Sequence, residues 1–412
     1  MTNKNTQNEV ALAEGKVGYK KTKLGWIPEE WEIVQFKEIA KFNPKAEELP
    51  EKFIYIDLES VKDGTLRKEN KISKIEAPSR AQRLLENEDI LFQTVRPYQK
   101  NNLFFKSNGN YVASSGYAQL RAKKCSGFIY QLIYAEYINN QVMARCTGTS
   151  FPAISAKDLS GIYVKLPPLP EQQKIATILN TWDKAIAAQE KLIAQKQDLK
   201  KGLMQQLLTG KKRFAGFEGE WEEVKIKDIA DTFSGGTPSS KKVEYYNGKI
   251  PWLKSGELNK GIIKNTTGYI SELGLKKSSA KLVEIDTILV AMYGATAGVC
   301  GITKIKGAIN QAVLALILNK GFSTYFIYQL LKMKMPHIVH SMVQGGQPSL
   351  SGGIINSVKV KIPILGEQEK IGELLLNRDY EIDMIRKKLG NMKTQKQGLM
   401  QQLLTGAKRV KI

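Results

Sequence analysis

The chain of 412 residues is long enough for two or three domains, and its 42% of hydrophobic residues exclude disorder over most of its length. Lysine and arginine total 62 against 40 acidic residues, and the net charge of +22 is spread over the whole chain. This excess favours a polyanionic partner, most commonly nucleic acid, with tuning of solubility as the alternative.

The cysteines and the apolar segments bear on the compartment of the protein. Cys125, Cys146 and Cys300 form no CxxC pair, and an odd number of cysteines argues against a disulfide framework. The polar N-terminal residues lack the apolar core of a signal peptide, and the longest apolar stretch, residues 286–302, is interrupted by Gly, Thr and Tyr. We therefore expect a cytoplasmic protein without a membrane segment.

In chain order, residues 1–24 predict a flexible segment and residues 25–168 predict a first α/β globule. Its strands are expected at residues 53–57, 90–95 and 163–166, which are rich in β-branched and aromatic side chains. A helix is expected at residues 128–145, where apolar side chains recur with helical spacing.

Residues 169–212 predict a long helix that ends at Gly210. Its apolar residues recur in heptads, which is the pattern of a helix that needs a partner helix along one seam. Packing inside a globular core is the alternative, which the length of the segment disfavours. The seam is expected to consist of Ile175, Leu179, Trp182, Ile186, Ile193, Leu203 and Leu207.

Residues 213–364 predict a second globule and residues 365–412 a second long helix. Strands are expected at residues 287–292 and 312–318, followed by a helix near residues 324–335. The seam of the second long helix is expected to consist of Ile371, Leu375, Ile382, Ile385, Leu389, Leu399 and Leu403.

The two halves of the sequence are a tandem repeat. The string GLMQQLLTG occurs at 202–210 and again at 398–406, and EQQKI at 171–175 matches EQEKI at 367–371 at the same offset. The repeat is far longer than the unit of a solenoid, so it indicates a duplicated domain with a duplicated helix. The two long helices can then pair with each other along their apolar seams.

Catalytic motifs are mostly absent from the sequence. It holds no GxxxxGK[ST] string, and the glycines at 235–236 precede Thr237 and Pro238 rather than a dinucleotide-binding helix. His337 and His340 have HxxH spacing without a nearby Glu or Cys ligand, so we expect partly exposed helix residues rather than a metal site. No enzyme is indicated, and we expect neither a cofactor nor a metal.

Polar loops next to predicted strands are the candidate nucleic-acid contacts. Arg, Gln and Asn can present two hydrogen-bonding groups to a base edge, and glycines let the backbone approach a phosphate. A single loop of this kind is more often structural, and the charge and the duplication taken together favour nucleic acid. The candidate residues are Arg80, Arg83, Arg96, Tyr98, Gln99, Lys100, Thr237, Ser239, Lys241, Lys242, Lys254, Tyr293, Thr296, Asn310, Gln311, Gln344 and Gln347.

With these motifs the sequence resembles the specificity subunit of type I restriction-modification systems. The resemblance covers roughly residues 20–412. It rests on the repeated strings above and on GWIPEEWE at 25–32, GFEGEWEE at 216–223, SGGTPS at 234–239, IPWLKSGEL at 250–258, AMYGATAG at 291–298 and INQA at 309–312. The first globule departs from this pattern, because it lacks the GGTPS and YGAT strings.

The resemblance implies an α/β fold with two target-recognition domains separated by two long antiparallel helices that form a coiled coil, as a pseudo-twofold internal repeat. It implies a non-catalytic subunit that binds double-stranded DNA through two different half-sites with an unread gap. It also implies two methyltransferase subunits, which modify adenine N6 with S-adenosylmethionine, and restriction or motor subunits as partners.

Two other functions compete with this interpretation. A self-contained methyltransferase or nuclease would need a cofactor-binding glycine loop and an Asn/Asp-Pro-Pro-aromatic motif, whereas Pro167 and Pro168 lie between leucines. A structural or RNA-binding adaptor would bind without sequence specificity for a duplex. A methylation assay on the purified chain and a competition assay with random duplex and RNA would separate the three.

Overall fold

A computed structural model describes residues 17–342 and 349–412, and the chain divides into two units. The first unit holds the described residues up to Glu190 together with Lys388–Ile412, and the second unit spans Lys191–Lys387. Each unit therefore contains one globule and a part of each long helix, whereas the sequence analysis treated the globules and the helices as consecutive segments.

The first unit is built on two four-stranded sheets with the strand orders β11-β10-β13-β4 and β8-β5-β12-β9. The pairs β1–β2, β3–β14 and β6–β7 complete it. The strands are β1 (Tyr19–Thr22), β2 (Gly25–Pro28), β3 (Glu32–Gln35), β4 (Ala40–Phe42), β5 (Lys52–Ile56), β6 (Val61–Lys62), β7 (Thr65–Leu66), β8 (Asn70–Ser73), β9 (Ala81–Leu84), β10 (Ile90–Gln93), β11 (Leu103–Phe104), β12 (Tyr111–Ser114), β13 (Tyr117–Ala122) and β14 (Tyr163–Leu166).

The helices of the first unit pack on one face of the first of these sheets. They are α1 (Phe36–Ile39), α2 (Ser126–Leu132), α3 (Glu136–Met143), α4 (Ala156–Ser160) and the N-terminal part of α5 (Leu169–Leu207). All residues of β10 are buried because Ile90 and Phe92 face the helices while Leu91 faces a second core. Because successive side chains of β10 point into two different cores, both faces of the strand are apolar, and its sequence is a continuous apolar run.

Two expectations for this unit were wrong. The helix expected at residues 128–145 is divided into the two helices α2 and α3. The break allows four side chains to enter the same core, whereas a continuous helix would direct them to different sides: Leu132, Ile133, Ala135 and Ile138. Strand β1 forms a hairpin with β2, so the expected flexible segment is ordered from about Tyr19 onward. Residues 1–16 lie outside the described residues.

The second unit repeats this topology, with sheets β16-β24-β21-β22-β18 and β19-β17-β23-β20 and the pair β15–β25. Its strands are β15 (Glu222–Lys225), β16 (Ala230–Ser234), β17 (Tyr246–Leu253), β18 (Ile262–Ile263), β19 (Tyr269–Ile270), β20 (Lys281–Val283), β21 (Ile288–Ala291), β22 (Cys300–Thr303), β23 (Gly307–Ile309), β24 (Val313–Leu318) and β25 (Lys359–Ile362). Its helices are α6 (Ile226–Ile229), α7 (Glu272–Lys276), α8 (Thr324–Met342), α9 (Gly352–Asn356) and the N-terminal part of α10 (Leu365–Leu403).

The strands predicted at residues 53–57, 90–95, 163–166, 287–292 and 312–318 are confirmed as β5, β10, β14, β21 and β24. The helix predicted near residues 324–335 is confirmed and continues to Met342. Both long helices are confirmed, with 39 residues each.

Within each unit the parts of α5 and α10 run in opposite directions. In the first unit Asp183 pairs with Lys396 and Glu190 with Lys393, at 2.6 and 2.7 Å. In the second unit Lys196 pairs with Glu381 and Lys200 with Asp379, at 2.5 and 2.6 Å. The lysines that interrupt the apolar heptads therefore form ion pairs between the two helices.

Within the described part of the chain, no helix combines the length and the hydropathy that crossing a membrane requires.

Candidate nucleic-acid interface

In the second unit, three loops meet at one end of the sheet that contains β24. Ser234 at the end of β16 lies opposite Leu314, and Ala291 at the end of β21 lies opposite Val313. The loops that follow β16 and β21 and the turn that precedes β24 therefore share this end. The Thr237 hydroxyl donates to the Gln311 Oε1 atom across it. We call residues 235–242, Lys254, 293–296 and 310–311 the second edge.

Lys254 reaches the second edge from the neighbouring sheet. Strand β17 is parallel to β23, with Leu253 opposite Ile309, so Lys254 and Asn310 leave their strands side by side. The Lys254 ammonium lies 5.0 Å from the centre of the Trp252 ring, and the lysine side chain is otherwise exposed. Lys254 therefore presents an exposed cation at the second edge, beside Asn310.

The glycines of the second edge serve chain packing. A Cβ atom on Gly235 would lie 1.9 Å from the Ile309 carbonyl oxygen, and one on Gly236 would lie 2.6 Å from the Ser279 Cβ atom. Both glycines therefore let the loop cross neighbouring backbone, which brings Thr237 to Gln311. The absence of a Cβ atom at these positions is therefore required by the packing of the chain itself.

The first unit has an equivalent edge formed by a different sequence. The Thr94 amide donates to the Gly116 carbonyl oxygen at 3.0 Å, just as the Met292 amide donates to Ala312 at 2.8 Å. The loops that begin at Val95 and Tyr293 therefore leave equivalent strands. We call residues 95–101, Arg80 and 114–116 the first edge.

Arg96 occupies the position of Gly294 in this comparison. Both have positive φ angles, 53° for Arg96 and 72° for Gly294, a conformation that is uncommon for arginine. The guanidinium of Arg96 lies 4.3 Å from the centre of the Phe151 ring, whose side chain is 59% exposed. Phe151 was not among the predicted contact residues, because an isolated aromatic residue in a loop carries no periodic signal.

Gln93 organises the first edge from within strand β10. Its Nε2 atom donates to the Gln99 Oε1 atom at 2.9 Å, and its Oε1 atom accepts from the Asn101 amide at 3.1 Å. Gln93 was not predicted either, although a glutamine at the end of an apolar strand is a signal for a buried polar contact. Tyr98, Gln99 and Lys100 follow on the exposed side of the loop.

The structure brings most of the candidates to the two edges but not all. Arg80 lies beside the first edge, where its carbonyl oxygen accepts from the Ser115 amide at 2.8 Å. Arg83 lies farther along β9, half-buried, and burial lowers the pKa of its guanidinium. Asn310 reaches the second edge with its Oδ1 atom buried and without a hydrogen-bond partner among the described residues. Gln344 and Gln347 lie outside the described residues.

The other second-edge candidates line the exposed side of their loops. Ser239, Lys241 and Lys242 form an exposed turn after Thr237, with the Lys242 amide donating to the Ser239 carbonyl oxygen at 3.1 Å. Tyr293 is 44% exposed, and its carbonyl oxygen accepts from the Thr296 hydroxyl at 3.4 Å.

The seam residues of the long helices are in two kinds of surroundings. The positions near the helix ends enter the globular cores: Ile175, Leu179, Leu399 and Leu403 in the first unit and Leu203, Leu207, Ile371 and Leu375 in the second. The expected seam consisted of contacts between the two long helices only. In the structure these helix residues also pack against the core of the globule in the same unit. Ile382 is buried, and the remaining seam residues, Trp182, Ile186, Ile193, Ile385 and Leu389, are half-buried.

In the described residues no group of His, Cys, Asp and Glu side chains has the arrangement of a metal site. His337 and His340 are exposed on α8.

Comparisons with known proteins give a consistent result. A family model described as type I restriction modification DNA specificity domain matches residues 28–195 and 218–392. The MjaVIII type I restriction enzyme specificity subunit of Methanocaldococcus jannaschii is 26% identical over 93% of this chain and 94% of its own length. The MjaIX specificity subunit of the same organism is 23% identical over 95% and 96%.

Two solved structures have a similar fold. The type I restriction-modification S subunit from M. genitalium has a TM-score of 0.63 at 19% identity, covering 91% of this chain and 96% of that one. A chain from a study of complex assembly and conformational transition of the type I R-M system has a TM-score of 0.57 at 22% identity, covering 92% and 99%.

Proposed function

Because the chain belongs to the type I restriction-modification DNA specificity family, we propose that it reads a bipartite DNA target through the first and second edges. The observation that carries this proposal is the equivalence of the two edges. They leave matching strands of a shared topology but present different polar side chains, Arg96 and Gln99 on one and Lys254 and Gln311 on the other. Two readers of this kind recognise two different half-sites.

The long helices hold the two readers apart in this proposal. Equivalent ion pairs at an offset of 196 residues, such as Glu171–Arg409 and Glu367–Arg213, support the internal repeat, which we propose to be pseudo-twofold. The opposite directions of the helix parts within each unit support an antiparallel coiled coil. The distance between readers then fixes the length of an unread gap, with half-sites about 34–36 Å apart if both lie on one face of the DNA.

The subunit itself is non-catalytic in this proposal, and the chemistry belongs to its partners. Two methyltransferase subunits modify adenine N6, and restriction or motor subunits join them, all in the cytoplasm. The exposed faces of α5 and α10 outside the seam are their natural docking surface.

The domains that we propose are the recognition domains at 25–168 and 213–364 and the helical segments at 169–212 and 365–412.

The proposal predicts two separable effects on DNA binding. Replacing Lys241 and Lys242 with alanine should weaken binding to every duplex alike and lower the slope of log affinity against log salt by about 2, because each lost phosphate contact releases about one counterion fewer. The Gln311→Ala variant should keep the slope and lose discrimination at one position, worth about 1–3 kcal/mol. Anisotropy titrations of the complex with methyltransferase subunits, on labelled duplexes over a salt series, measure both.

An affinity for duplex DNA that stays constant between low and moderate salt would contradict the proposed phosphate contacts. Equal binding of duplex and RNA competitors, without dependence on the base sequence, would contradict the proposed function.

A further inference from the structure

A buried polar cluster joins three helices of the second unit. Lys200 on α5 donates from its Nζ atom to the Gln329 Oε1 atom at 3.0 Å and to the Asp379 Oδ2 atom at 2.6 Å. Gln329, on α8 of the globule, donates from its Nε2 atom to the same Asp379 oxygen at 2.7 Å. Both long helices and the globule therefore meet in one triangle of hydrogen bonds.

The first unit contains the same three residue types with the long helices exchanged. Its triangle has only the two sides that end on Asp183, because the Gln131 Oε1 atom is buried without a hydrogen-bond partner among the described residues. Lys396 on α10 donates to the Asp183 Oδ1 atom at 2.6 Å, and Gln131 on α2 donates to the Asp183 Oδ2 atom at 2.7 Å. Gln131 also donates to the Asn180 Oδ1 atom at 2.9 Å. The lysines and the aspartates of the two clusters each differ by 196 in residue number, so the triangle is part of the duplication.

The burial of the second-unit cluster and of Gln131 makes the geometry specific, whereas the Asp183 side chain of the first unit is 42% exposed. Gln131 and Gln329 are fully buried and Lys200 is 5% exposed. Burial, and to a smaller extent the neighbouring Lys332, lower the pKa of Lys200 to about 8, although Asp379 counteracts them. A shift of a helix by one turn would leave a buried lysine, carboxylate or amide without its partner, which is costly. Apolar side chains in the same place would tolerate several registers.

We propose that each Lys–Asp–Gln triangle is a positioning element that fixes the register of the two long helices and the orientation of its globule on them. On the basis of the proposed function, the triangles then determine which gap lengths are accepted between the half-sites. Replacement of a buried ion pair by apolar side chains of similar volume is often neutral for stability, so the expected effect is on gap selectivity rather than on folding.

The first test replaces the second-unit triangle by apolar side chains: Lys200→Met, Gln329→Leu and Asp379→Leu in one full-length chain. Lys332→Met is added, because the Lys332 Nζ atom lies 3.4 Å from the Asp379 Oδ1 atom and would otherwise lose its ion-pair partner. The chain is assembled with methyltransferase subunits, and methylation is measured on duplexes whose gaps are native, one base pair shorter or one base pair longer. We expect the thermal midpoint to be kept and methylation at the altered gaps, relative to the native gap, to rise about tenfold. The control replaces the exposed Glu190 and Lys393 by alanine, which should leave this ratio unchanged.

A charge exchange in the first unit tests the same inference by rescue. Asp183→Lys and Lys396→Asp alone place like charges together and should each lower gap selectivity, whereas the double variant restores an ion pair and should return it to within about threefold of the parent. The amide of Gln131 can donate or accept, so it fits both polarities.

Unchanged gap selectivity in the apolar variant, with both half-sites still methylated, would overturn the positioning role and leave the proposed function intact. Failure of the double exchange to restore the selectivity that the single variants lose would also overturn it. Methylation by the parent chain that is independent of the gap would instead contradict the proposed function.

Discussion

Lengthening both long helices by one heptad, after Gln195 and after Asn391, is expected to shift recognition to a longer gap. Seven helical residues add about 10.5 Å, which corresponds to about three base pairs of duplex. Both half-sites should remain the same, because the insertions lie far along the chain from the residues of the first and second edges. On the native gap one reader loses its base contacts, and methylation there should fall by at least about tenfold, since each such contact is worth about 1–3 kcal/mol.

The matched control inserts the heptad into only one helix. The ion pairs that join α5 and α10 in each unit, such as Lys196–Glu381 and Glu190–Lys393, would then lose their register on one side of the insertion. We expect a less stable chain rather than a new gap. Unchanged spacing of methylated sites in the doubly lengthened chain would contradict the role of the helices as a spacer.

Glu171→Ala is expected to destabilise the first unit by about 2 kcal/mol, because the substitution leaves the buried Trp31 indole N–H without its acceptor and removes one of the two carboxylate partners of the half-exposed Arg409. The Glu171 carboxylate is fully buried and accepts from the Trp31 Nε1 atom at 2.9 Å and from the Arg409 Nη2 atom at 2.9 Å. The hydrogen bond to Glu171, followed by the one to Glu30, raises the pKa of the Arg409 guanidinium. The carboxylate thus ties the start of α5 to the C-terminal residues that follow α10.

The duplication supplies the comparison for this prediction. Glu367 accepts from the Arg213 Nη2 atom at 2.7 Å, but the Trp221 Nε1 atom is buried without a hydrogen-bond partner among the described residues. Glu367→Ala should therefore cost less than Glu171→Ala by about 1 kcal/mol, the value of one hydrogen bond.

Hydrogen exchange of amides in β3 and β14 measures the stability of the first unit, and exchange in β15 and β25 measures the stability of the second. Glu171→Gln, which can still accept from Trp31, should lie between the parent and Glu171→Ala. Equal loss of protection in both units after either alanine substitution would contradict the assignment of each pair to its own unit.

Local patterns predicted the elements of the fold well. The long helices are continuous runs of good helix formers ended by Gly210 and Gly406, and both glycines have positive φ angles, 71° and 76°. Strands β10 and β21 are apolar because each lies between two cores, and such runs are recognisable without knowledge of the partner strands. The broken helix at residues 128–145 was missed because its apolar residues fit a helix locally, and tertiary packing decides the turn.

The candidate edges depend on contacts that are distant in sequence. Thr237 meets Gln311, and Arg96 meets Phe151, through strand order and chain reversal rather than through spacing. The equivalence of the Arg96 loop with the Gly294 loop follows from backbone hydrogen bonds, since the two loop sequences share no motif. The polar triangles could not be predicted either, because the partners of Lys200 and Lys396 are distant in sequence. In the heptad pattern these two lysines are only interruptions of the apolar positions.

The most direct test of two readers on one chain is to map methylated adenines in DNA exposed to the assembled methyltransferase complex. The parent chain should direct methylation to one bipartite sequence with two different half-sites and a fixed gap. Gln311→Ala should relax only the half-site of the second unit, and Arg96→Ala only that of the first. Methylation at a continuous site, or loss of discrimination at both half-sites from Gln311→Ala alone, would contradict the account.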